Sequence, residues 1–132
     1  MSASKVEADG TIKIGDNVYY TVARRIKDFR ENYGDHSIET EILSAADVVQ
    51  IRAVIKDASG RIIATGTAEE VRGAGLVNKT SALENAETSA IGRCLAVFGL
   101  VGTNIASAEE MQAALEQQDY LKQNEDLIAH NA

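Results

Sequence analysis

Three stretches rich in β-branched residues, each alternating apolar with polar and lying only a few residues from the next, constrain this fold most. They run from Ser37 to Leu43, from Val48 to Lys56 and from Arg61 to Ala68. A period of two marks a half-buried strand. The middle run sets Val49, Ile51, Ala53 and Ile55 on one face and Gln50, Arg52 and Lys56 on the other, so one side meets a core and the other meets water. Asp57-Ala-Ser-Gly60 is a short turn ending in glycine, which joins the second and third runs as an antiparallel hairpin.

Helical spacing flanks the strands. Between Val18 and Tyr33 the apolar residues Val22, Ile26, Phe29 and Tyr33 recur in steps of four, three and four, and Gly34 supplies a left-handed stop. Residues 70–79 hold two glycines and no clear period, and read as a loop. Ser81 and Glu84 then have the spacing of a reciprocal capping box, and Leu83, Ala86, Ala90, Ile91, Cys94, Leu95, Val97 and Phe98 line one wide apolar face that ends at Gly99. Ala86, Ser89, Ala90 and Gly92 are small enough for this helix to lie close to a neighbour. A second capping box, Ser107 with Glu110, opens a last helix. Its thin stripe of Met111, Ala114, Leu115, Gln118 and Leu121 predicts weak packing, fraying past Lys122, or docking on another subunit.

The expected architecture is α+β in the order α-β-β-β-α, an antiparallel three-stranded sheet with helices packed on one face and a C-terminal helix. The length of 132 residues suits one such domain. Residues 1–17 are expected to form a flexible start in which the short alternation over Thr11–Ile14 has the pattern of an edge strand, residues 18–105 the domain, and residues 106–132 an acidic helix and tail.

The formal charge of −7 argues against a phosphate-rich partner, yet it is unevenly spread. Residues 106–132 carry six acids against Lys122 alone, which leaves the body close to neutral. Such a tail suits a protein partner, or simple solvation. No apolar run approaches the length of a membrane helix and the start has no hydrophobic leader, so a cytoplasmic protein is expected. A lone Cys94 excludes an internal disulfide and a cysteine-rich zinc site.

Enzymatic constellations are missing. His36 and His130 are far apart and outside any metal-ligand spacing, Glu39 and Glu41 read as the wet face of a strand, and Cys94 falls on an apolar helix face. No catalytic residue, metal or cofactor is expected. Anion chemistry is better represented: Lys79 and Thr80 precede a capped helix, where the dipole favours phosphate. Arg24, Arg25, Lys27 and Arg30 on the first helix, with Arg52, Lys56 and Arg61 on the strands, suit a groove along a polyanion. Tyr19, Tyr20 and Tyr33 offer stacking surfaces, but aromatics are 5% of the chain, so extensive base stacking is not the expected mode.

The stretch VNKTSALENAETSAIGRCLAVFGL over residues 77–100, followed by Gly102 and the acidic segment Ala106–Glu110, resembles phage single-strand DNA annealing proteins of the Sak type, relatives of the eukaryotic annealing protein Rad-fifty-two. Residues 20–30 and 37–42 are also similar to small phage proteins that carry this helix. The resemblance implies a β-β-β-α core, rings or filaments of a homo-oligomer, and single-stranded DNA held by its phosphates with bases exposed for annealing during phage recombination. It implies no nucleotide hydrolysis. Arg93 matches the basic position of the family's helix and Lys79 the lysine that enters it, while topology places Arg52, Lys56 and Arg61 near the groove. Leu100 to Ser107 departs from the family's aromatic, glycine-rich stretch. The alternative expectation is an interaction module or inhibitor that binds a host protein and no DNA.

Overall fold

The computed structural model describes the backbone of residues 5–74 and 78–131, and the side chains of 5–74 and 81–125. Eight elements follow in order: β1 (Thr11–Ile14), β2 (Asn17–Tyr20), α1 (Val22–Asn32), β3 (Ser37–Ala45), β4 (Val48–Lys56), β5 (Ile62–Val71), α2 (Asn78–Phe98) and α3 (Ala108–Asn131). Strands β3, β4 and β5 form an antiparallel sheet in that order, and β1 pairs with β2 as a separate hairpin. The α+β architecture and the α-β-β-β-α body are those expected.

The N-terminal expectation needs correction. Residues 11–20 are a hairpin with Ile14 opposite Asn17, turned by Gly15 at φ +60°, so the segment is neither wholly flexible nor, over 18–20, helical. A two-residue turn starting on a left-handed glycine favours local strand pairing, and the alternation through Val18, Tyr19 and Tyr20 supplies the second strand. Helix α1 therefore starts at Val22, capped by Thr21, whose hydroxyl accepts from the Arg24 N–H at 3.0 Å. Strand β5 also runs to Val71, past the expected loop boundary, because Val48 pairs with Val71 and Arg72 donates to the Ala46 carbonyl at 2.8 Å across the β3–β4 turn.

The core lies between the sheet and α2. Val49, Ile51, Ala53 and Ile55 of β4 point at Ala82, Ala86, Ala90, Cys94 and Leu95 of α2, all buried. Each large apolar side chain there contributes about 1.5–3 kcal/mol. Contact is closest at Gly66 of β5, where an added Cβ would stand 2.4 Å from the Cys94 nitrogen and 2.9 Å from the Ala90 oxygen. The small-residue face of α2 is thus matched by a strand position where only glycine fits. Ser81 interrupts helical geometry with φ −133° and ψ 28°, and the regular helix begins after it.

Helix α1 runs alongside α2 in the same direction. Val22 abuts Gly92, where a Cβ would lie 2.7 Å from the Val22 methyl, while Phe29 and Tyr33 meet Phe98 at ring separations of 5.7 and 4.7 Å. The β1–β2 hairpin joins the body through the segment after α2: Thr103 exchanges hydrogen bonds with Val18, its N–H reaching the Val18 carbonyl at 2.8 Å. Helix α3 then begins with the reciprocal Ser107–Glu110 box, at 3.1 and 3.3 Å. Ala108 is buried with Ile12 and Tyr19, and Met111 packs on them, but Tyr120 and Leu121 farther along α3 are exposed. Among the described residues no helix packs on the opposite face of the sheet.

Candidate nucleic-acid interface

The cations expected to line one groove are distributed over two faces and the interior. Arg25 is wholly buried. Its guanidinium donates to the Gly92 carbonyl at 2.9 Å and to those of Ile105 and Ala106 at 2.8 and 3.2 Å, tying α1, α2 and the segment before α3 together. Burial pulls its pKa below the usual arginine value, Glu110 and Glu109 oppose that, and Arg93 adds to it. Arg25 is therefore a structural clamp that a ligand in solvent cannot reach, because position 25 falls on the same helical face as Val22 and Phe29.

Arg52 and Lys56 point away from the helices. On this open sheet face Arg52 stands between Glu41 and Thr67 in register, and Lys56 pairs with Glu39 at 2.9 Å. They line a hollow of about 270 Å³ with Glu39, Glu41, Val54 and Ile62, whose charge is mixed. Arg61 is exposed at the end of the β4–β5 hairpin. Strand alternation thus separates Arg52 and Lys56 from the described cations of α1 and α2, which do not join them in a single groove. The Lys79 side chain lies outside the described residues.

The helical layer keeps a more accessible row. Arg24 is held by Asp28 at 3.0 Å and by the Asp9 carbonyl at 2.8 Å, and its guanidinium lies 4.5 Å above the Tyr20 ring. The Asp28 hydrogen bond raises its pKa, so it remains a fixed positive charge. One turn on, Lys27 and Arg30 are exposed on the same helix, and neither makes an ion pair among the described residues. Sequence reasoning noted this pair without choosing it. The signal is present, since position 27 falls opposite the Val22, Phe29 face and position 30 on its flank, about 60° from 27.

Arg93 is exposed on α2 but faces Glu110 of α3, with 3.6 Å between Nη2 and Oε2. The neighbouring Glu109 carboxylate accepts the Val22 N–H through both oxygens, at 3.1 and 3.2 Å, at the start of α1. Aromatic rings are largely spent on packing. Tyr19 and Phe29 are buried, Tyr33 and Phe98 close a cluster with His36, and Tyr20 lies under Arg24.

These features define a class: a small α+β domain with α1 and α2 on one side of an antiparallel sheet, carrying on α1 exposed cations that make no ion pair among the described residues. Residues 26–98, from within α1 to the end of α2, match the family model described as Slr1353 N-terminal dsRNA-binding domain-like, and the chain belongs to that family. This match overturns the resemblance to Sak-type annealing proteins. The β1–β2 hairpin and α3 fall outside the matched segment. No curated protein matches the chain significantly. Among the described residues no helix is long and apolar enough to cross a membrane.

Proposed function

We propose that this chain binds nucleic acid without catalysis, that its ligand is double-stranded RNA, and that it reads the duplex by shape and phosphate contacts through the α1 surface around Lys27 and Arg30. The observation that carries the reading is the location of the rings. Proteins that hold single strands without base readout stack successive bases on aromatic platforms. Five of the six aromatic residues here are buried or engaged with neighbours, and only Tyr120, on α3, is strongly exposed. A-form duplexes are recognised mainly through backbone and 2′-hydroxyl contacts, which need exposed cations and polar groups and no stacking surface. The family's description agrees with that ligand, and the segment it matches contains Lys27 and Arg30.

Two or three phosphate contacts and an acidic overall charge imply modest, salt-sensitive affinity. Fluorescence anisotropy with a labelled RNA duplex of about 20 bp, long enough for one domain of this kind, tests it. Affinity should fall with salt at a log–log slope of roughly −2 to −3, taking about −0.9 per duplex phosphate. Lys27→Gln with Arg30→Gln should abolish most of the binding and leave the thermal transition unchanged. A double variant that binds as wild type would move the interface elsewhere.

A further inference from the structure

The two carboxylates that open α3 are set against a backbone N–H and a cation of the helical layer. Glu109 accepts the first N–H of α1 through both oxygens, and Glu110 faces Arg93. Both lie near buried Arg25, whose charge they help to offset. The rest of α3 contributes little to the body, and the helix lies outside the segment that defines the family. We propose that the first turn of α3 is an internal counter-anion, which covers Arg93 and the start of α1 and yields them to the phosphates of a bound polyanion. This rests on the reading that the helical face binds a nucleic-acid backbone, and adds to it a built-in competitor.

The electrostatics suit displacement. A carboxylate at a helix N-terminus and a half-exposed ion pair are each weak, so several closely spaced phosphates can outcompete them. Arg25 keeps its hydrogen bonds to the Ile105 and Ala106 carbonyls and Ala108 stays buried with Ile12 and Tyr19, so the α3 backbone remains anchored while the Glu109 and Glu110 side chains turn out to solvent.

The test is Glu109→Gln with Glu110→Gln in the full chain. Glutamine keeps one acceptor oxygen at each position, enough for the capping box, and removes both charges. Glu116→Gln with Asp119→Asn removes equal charge from exposed positions of α3 and serves as the comparison. Binding of the RNA duplex and of heparin is measured for each at about 50 mM salt, where phosphate contacts count most. The 109/110 variant should bind about three- to tenfold more tightly than wild type, and the 116/119 variant less than half as much more tightly on a logarithmic scale. Equal gains in the two variants, or none in the first, would overturn the proposal. If no form binds RNA, the duplex-RNA reading fails by itself, and heparin decides the masking: a gain confined to the 109/110 variant supports it, and no such gain overturns it. Should that variant fold poorly, NMR of the wild-type side-chain carboxylates decides. The Glu109 and Glu110 carboxylate signals should shift when heparin saturates the protein while those of Glu116 and Asp119 do not, and unchanged Glu109 and Glu110 signals would refute displacement.

Discussion

Arg25→Met distinguishes a structural arginine from a ligand-binding one. Methionine fills much of the same volume without donors. The substitution removes three hydrogen bonds, to the carbonyls of Gly92, Ile105 and Ala106. The Gly92 carbonyl lies inside α2 and keeps its helical partner. The other two precede α3 and lose a charged donor, each at a cost of about 1–3 kcal/mol when left unpaired. Against this, the variant no longer buries a cation whose Nε already lacks a partner, which recovers part of the loss. A net destabilisation of about 3 kcal/mol is expected, comparable to breaking other buried charge networks. For a chain of this size that lowers Tm by roughly 10 °C. Urea titration and calorimetry provide the measurement. RNA affinity, measured below the transition, should change less than twofold. A variant with wild-type stability that no longer binds RNA would refute the assignment of Arg25 as a clamp.

Gly66→Ala should destabilise by about 3 kcal/mol, the upper range for overpacking, because its Cβ meets α2 backbone that no side-chain rotation can clear; a loss under about 1 kcal/mol by urea titration would mean α2 sits farther from the sheet. Cys94 is buried and desolvation pushes its thiol up to about 11, so a thiol reagent at pH 8 should leave native protein unmodified and label it fully in denaturant; rapid native labelling would contradict the packing. Asp57 accepts from the Ser59 hydroxyl at 2.7 Å and from the Ser59 and Arg61 N–H groups at 2.9 and 3.0 Å, which hold its pKa below the ordinary 3.8. A carboxylate pKa lower in the folded than in the unfolded state adds stability above the unfolded value and loses it as pH falls through the folded one. Asp57→Asn should therefore be less stable than wild type at pH 7 and lose less stability between pH 5 and pH 2; parallel acid profiles would show that the turn does not depend on the charge.

The sheet was the most legible part of the fold. Alternation in β4 names all four buried residues, Val49, Ile51, Ala53 and Ile55, because strand geometry leaves no other way to divide apolar from polar positions. The second capping box was equally local: Ser107 and Glu110 bond each other as their spacing requires. What the sequence hid depends on partners distant along the chain. Arg25 and Lys27 look alike in one dimension, and only the approach of Gly92 and residues 105–106 makes one a core clamp and the other a surface cation. Arg52 and Lys56 were assigned to the same groove as the helical cations because residue type carries no information about which layer covers which face. Glu109 likewise reads as tail acidity until its carboxylate is seen on the Val22 N–H, 87 residues away in sequence. Thr11–Ile14 is legible as a strand, but its partner β2 is not, because Val18 and Tyr19 fit the start of a helix as well as a strand and the turn at Gly15 decides between them.

The most direct test of the account is a competition. A labelled RNA duplex of about 20 bp is bound at low salt and challenged in parallel with unlabelled duplex RNA, duplex DNA and single-stranded DNA of matching sequence. Shape and phosphate readout by a domain without an aromatic platform predicts that duplex RNA displaces the label at the lowest concentration and single-stranded DNA at the highest. Displacement by single-stranded DNA at or below the concentration of duplex RNA would contradict it.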